Sequence, residues 1–167
     1  MNEYDNDRQD EQYIKRHCEK MNEKEQQLSL LYQRYIQAFA QYDIAATRQC
    51  YQLPCILSTP EKVLVINSEE DFEREFTQIF SMLRSNNISG FKASNASFEQ
   101  VDDNIYLAHL DWQFFDDANN LFTEFAAIYH LSYQNQAYRI ISVISHDIGQ
   151  SPSFTHSMSI FQEESSI

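Results

Sequence analysis

The chain has only two glycines in 167 residues, Gly90 and Gly149. A glycine-rich loop that wraps a phosphate cannot be built from them, so nucleotide binding of that kind is set aside. The three cysteines, Cys18, Cys50 and Cys55, form no CxxC pair and no ligand set with the histidines. Neither a disulfide framework nor a metal centre is expected, and a reducing cytoplasm suits such a chain. Positive charge is also scarce: 12 Lys and Arg stand against 25 Asp and Glu, giving a net charge of −13. A polyanion would be repelled, which argues against nucleic-acid partners and against anionic membrane surfaces. No apolar run approaches the roughly 20 residues that span a bilayer. The opening MNEYDNDRQDEQ lacks the basic start and apolar stretch of a secretory leader. Neither a GxSxG elbow nor an HExxH helix is present.

Aromatic side chains are abundant instead: 12 Phe, 10 Tyr and the single Trp112. Rings bury large areas while fixing few rotatable bonds, so they serve either a packed core or the walls of a cavity. With 43% hydrophobic residues the chain is long enough to bury one core, so a single acidic domain is expected.

Apolar residues recur at Ile14, Cys18, Met21, Leu28, Tyr32, Tyr35, Phe39 and Tyr42, in steps of three, four and seven. That spacing predicts a long helix ending near Gln41. Residues 1–21 form a polar, partly frayed extension of it, either solvated or in contact with a second subunit. Asp43 is placed to cap a short helix from Ile44 to about Tyr51, and Pro54 is expected to stop it. Cys55–Ser58 and Val63–Ile66 read as short strands. Ser68, followed by Glu69, Glu70 and Asp71, starts a third helix, with Phe72, Phe76, Ile79, Phe80 and Leu83 on one face. After Gly90 the period changes to two, predicting strands at Lys92–Gln100, Ile105–Phe115, Leu121–Tyr133 and Tyr138–His146. The fold class is therefore α+β: three N-terminal helices packed on a curved, mostly antiparallel sheet, the domain covering 22–148 and a C-terminal tail 149–167.

Alternation sorts the strand residues. One face carries Tyr106, Ala108, Leu110, Trp112, Phe114, Phe125, Ala127, Tyr129, Leu131, Ile140, Ile144 and His146. It is strongly apolar and is assigned to the helices. The other carries His109, Asp111, Gln113, Glu124, His130 and Arg139 among Ile105, Leu107, Phe122, Ile128, Ile141 and Val143. That mixture suits coverage by a second copy, so a homodimer through this outer face is expected. His109 and Asp111 then make polar contacts in the interface rather than a catalytic pair.

This order of elements, with the stretch QRYIQAFAQYDIAA, then CILSTP, the helix after Ser68 and the meander, resembles the nuclear transport factor two-like superfamily. The resemblance covers about residues 22–148. It implies a cone-shaped, cystatin-like α+β fold, shared by ketosteroid isomerases, dehydratases, epoxide hydrolases, polyketide cyclases and proteins without assigned activity. Against the ketosteroid isomerases, Tyr35 falls at the oxyanion-stabilising tyrosine and Tyr129 close to a protonated aspartate. Thr59 falls at the aspartate base before proline, and a hydroxyl takes up no proton near neutral pH. No complete catalytic constellation results; the weak candidates are Tyr35, Tyr129 and His146. The resemblance and the face assignment together place ligand contacts at Tyr32, Tyr35, Phe39, Leu57, Thr59, Phe80, Trp112, Tyr129 and His146. Three functions stay open. One is a cofactor-free binder of a small apolar molecule. A second is an isomerase, dehydratase or cyclase using His146 as base. The third is a homodimeric interaction module with no ligand.

Overall fold

The computed structural model describes residues 23–160; the expected N-terminal extension lies outside them. Helix α1 occupies residues 23–40 of this span. Asp43 caps α2 (Ile44–Gln49) by accepting the Ala46 N–H at 2.9 Å. Ser68 caps α3 (Glu69–Ser85) by accepting the Asp71 N–H at 3.1 Å. Both caps satisfy donors that a helix start leaves orphaned. Between these two helices run β1 (Tyr51–Ser58) and β2 (Val63–Ile66). After α3 come β3 (Ile88–Asp102), β4 (Ile105–Asp116), β5 (Leu121–Gln134) and β6 (Ala137–His146). A 3-10 turn (Ile148–Gln150) leads to a short β7 (His156–Ser157).

The seven strands form one sheet in the order β2-β1-β6-β5-β4-β3-β7. Only β1 and β6 run parallel; the remaining pairs are antiparallel. The expected α+β class is observed, with the helices against the aromatic face of the sheet. Leu28, Tyr32, Tyr35 and Phe39 of α1 and Phe72, Phe76, Phe80 and Leu83 of α3 share one buried cluster with Tyr106, Leu110, Trp112 and Tyr129. No described helix is long and apolar enough to cross a membrane.

Three expectations are corrected. Pro54 does not end α2. The helix stops at Gln49, and the chain is already a strand from Tyr51. Pro54 falls in the register shift between the Tyr51–Ile140 and Ile56–Ser142 pairs, where a residue without an N–H interrupts no regular ladder. The segment after His146 is more than a tail: β7 pairs with β3, and Met158, 6% exposed, donates its N–H to the Ala96 carbonyl.

The third correction concerns β6. Tyr133 pairs with Tyr138 and Leu131 with Ile140, the register expected from the two-residue turn Asn135-Gln136. His130 then pairs with Ser142, so Ile141 is an extra residue and the strand bulges there. One inserted residue moves every later side chain to the opposite face. Val143, opposite Tyr129, turns towards the helices. Ile144 becomes 46% exposed on the outer face, and His146 comes to lie beside His109, ring centroids 5.9 Å apart.

Candidate functional site

Between the helices and the curved sheet lies a cavity of about 280 Å³. Helix α1 contributes Tyr35, Ile36 and Phe39, three positions that fall on its inner face. Strand β1 and the following turn contribute Tyr51, Leu57, Ser58, Thr59 and Lys62, and α3 contributes Glu75, Phe76 and Ile79. The sheet supplies Phe91, Trp112, Phe114, Phe125, Tyr129, Val143 and Ser145. Lys62 and Glu75, 3.8 Å apart with side chains 66% and 19% exposed, mark the mouth.

The buried end is polar at a few points. The Trp112 indole N–H donates to the Tyr129 hydroxyl at 2.8 Å. The hydroxyls of Tyr35 and Tyr51 share a hydrogen bond of 2.9 Å. The Tyr35 ring meets those of Trp112 and Tyr129 edge-on at 6.1 and 6.5 Å. Burial pushes the phenols of Tyr35, Tyr51 and Tyr129 well above the ordinary tyrosine range. They are therefore neutral hydrogen-bond donors near neutral pH and not phenolates. Cys50 and Cys55 are pushed up to about 11 by burial, which leaves them as unreactive thiols.

Six of the residues expected at the site line the cavity: Tyr35, Phe39, Leu57, Thr59, Trp112 and Tyr129. Tyr32 and Phe80 stand behind the wall. Tyr32 packs edge-on against Tyr129 at 5.1 Å, and Phe80 against Phe39 at 5.1 Å. His146 is on the far side of the sheet, turned there by the Ile141 bulge, and its Nδ1 meets the Asp147 carbonyl at 2.9 Å. Thr59 is engaged in the β1–β2 turn. Its N–H donates to the Lys62 carbonyl at 2.8 Å, and its hydroxyl accepts the Lys62 N–H at 3.3 Å.

Among the lining residues that the sequence does not place at the site are Tyr51, Val143 and Ser145. Tyr51 reads as a helix end because Pro54 looks like a stop signal. Val143 and Ser145 were displaced by the bulge, which no turn residue announces.

His109 and Asp111 face away from the cavity, as expected. They are 1% and 5% exposed within the single chain, so no second copy is needed to cover them. The Asp111 carboxylate accepts from Asn95 at 2.7 Å and from Ser151, beyond β6, at 2.9 Å. Among the described residues no three His, Cys, Asp or Glu side chains converge as a metal-binding set.

No curated protein matches the chain. Solved structures match its fold. An NTF2-like protein with a cystatin-like fold from Novosphingobium aromaticivorans superposes with a TM-score of 0.66 at 10% identity, over 83% of this chain and 90% of its own. A protein from Streptomyces avermitilis, provisionally named a dehydratase of the NTF2-like family, gives 0.59 at 12% identity over 74% and 94%. One from Shewanella frigidimarina, provisionally named a ketosteroid isomerase, gives 0.56 at 11% over 69% and 90%. The family described as NTF2-like protein (DUF6841) matches residues 24–148, the span that builds α1 to β6 and the cavity between them, and the chain belongs to that family.

Proposed function

We propose that this protein binds a small, mostly apolar molecule carrying one or two polar groups. The observation that carries the reading is the cavity of about 280 Å³, walled by Phe, Leu, Ile and Val side chains. Packed interiors rarely leave voids larger than a water molecule, so a chain filling its own cone would not retain such a space. Its size lies near the lower end of ligand sites, which run to roughly 300–1,000 Å³, and its few polar groups at the buried end match their usual character. Two structural relatives carry provisional enzyme names, a dehydratase and a ketosteroid isomerase, which fits a small-molecule site on this fold.

Binding is preferred over isomerase, dehydratase or cyclase chemistry because a base is missing where one would act. Thr59 holds a turn and His146 faces away. Among the described residues the carboxylate in the cavity wall is that of Glu75, at the mouth and paired with Lys62. A second copy is proposed on the outer sheet face, where Ile56, Val65, Ile105, Phe122 and Ile144 are exposed.

Native mass spectrometry of the purified protein, followed by denaturing extraction, tests both parts. The expected result is a dimer, with a small apolar molecule released or with an added one taken up once per chain. A monomer that takes up none would contradict the proposal.

A further inference from the structure

Helix α3 turns Phe72, Phe76, Phe80 and Leu83 to the core, and all four are buried. Glu75 stands three residues after Phe72 and four before Ile79, so it shares a helix face with both. An apolar residue would continue the stripe there. A carboxylate instead borders the cavity, with its side chain only 19% exposed. Among the described residues its only polar partner is the Lys62 ammonium, 3.8 Å away and beyond hydrogen-bond reach. Lys62 is 66% exposed, so water solvates its charge and little holds it over the mouth. A carboxylate that is largely withdrawn from water and accepts no hydrogen bond is penalised, and a cation brought to it relieves the penalty.

We infer that the site takes small apolar amines: the hydrocarbon part fills the cavity, and a protonated amino group at the mouth displaces Lys62 and donates to Glu75. The inference rests on the proposed binding role and names the ligand class for it. A primary ammonium carries three N–H donors. It can approach the carboxylate to the roughly 2.7–2.9 Å of a charge-assisted hydrogen bond, which Lys62 does not reach. The net charge of −13 draws cations towards the chain and repels anions. A carboxylic acid of the same size would meet Glu75 at the mouth, and its gain from the exposed Lys62 is small. Size limits the rest of the molecule. A cavity of about 150 Å³ holds benzene, so about 280 Å³ takes a benzene ring with a chain of about four carbons.

The test is a binding titration at pH 7, followed by Trp112 emission, with three molecules that differ only in the head group: 4-phenylbutylamine, 4-phenylbutanol and 4-phenylbutyrate. The expected order is amine, then alcohol, then acid. The amine should bind about fivefold tighter than the alcohol, the upper end of what a partly exposed ion pair contributes. Glu75→Gln should bring the amine-to-alcohol ratio towards one. Lys62→Gln should raise that ratio, because no ammonium of the chain then competes for Glu75. Equal binding of amine and alcohol by the unaltered protein, or an amine preference that survives Glu75→Gln, overturns the inference and leaves the binding role standing. Tightest binding of the acid overturns it in favour of Lys62 as the recognising group. A ratio that does not rise in Lys62→Gln overturns the displacement of Lys62. Binding of none of the three overturns both the inference and the binding role.

Discussion

His109 shows how one buried side chain links the outer face to solution conditions. Its ring is 1% exposed, its Nε2 has no hydrogen-bond partner, and the Asp111 carboxylate is 3.5 Å away. Desolvation lowers its pKa from the usual imidazole range. Asp111 opposes that shift in part, and the neighbouring His146 adds to it. The sign follows from linkage. The unfolded chain takes up a proton on this histidine near pH 6.5, and the folded chain takes it up only at lower pH. Stability is therefore full above about pH 6.5 and declines as pH falls from there through the folded pKa. His109→Gln removes the titrating group while keeping a polar side chain. Urea unfolding at pH 7.5 and pH 5.5 should show a smaller acid loss for the variant than for the unaltered protein. Equal losses would mean that His109 is not the group responsible.

At the scale of elements, the register of β6 after Ile141 decides which residues see the cavity. Deleting Ile141 should join Ile140 directly to Ser142, which already stands opposite His130, so Val143 stays inward and Ile144 and His146 stay outward while the bulge is lost. Inserting one alanine after Ser142 should instead move Val143 by one place and turn it outward, away from Leu57, its partner across the β1–β6 pair. The expected cost of the insertion is about 2 kcal/mol or more, roughly 4–8 °C in Tm for a domain of this size, together with loss of ligand uptake, whereas the deletion should retain uptake. An unchanged melting point with retained uptake in the insertion variant would show that the register after Ile141 does not set the faces.

The same strand marks how far the sequence could be read. Caps at Asp43 and Ser68, the two-residue turn at Asn135-Gln136 and the alternation along β4 and β5 each have a local chemical signature. The helical spacing of Tyr35 and Phe39 and the alternation through Trp112 and Tyr129 put these four beside one cavity, as the structure has them. A bulge at an isoleucine has no such signature, because it exists only in the pairing of β6 with β5 and not in the local sequence. Pro54 misled for a related reason. A proline is a stop signal in a helix, but here it stands in a strand, at an irregularity fixed by the distant β6. The pairing of β7 with β3 was hidden because two residues, His156 and Ser157, are too few to show a period.

For the whole molecule, the central claim is a cone left hollow at its aromatic end. Trp112, the chain's single tryptophan, lines that hollow and is 3% exposed, so its emission reports directly on occupancy. Val143 points into the same space from β6, and Val143→Phe should fill part of it with a ring while leaving the outer face unaltered. Overpacking of this kind destabilises by about 1–3 kcal/mol where no void exists and by less where one does. The most direct measurement is a tetralin titration followed by Trp112 emission, run on the unaltered protein and on Val143→Phe. The expected result is a saturable change at one molecule per chain that weakens at least tenfold in a Val143→Phe protein of near-normal stability. Emission that never responds, or responds equally in both proteins, would contradict the account.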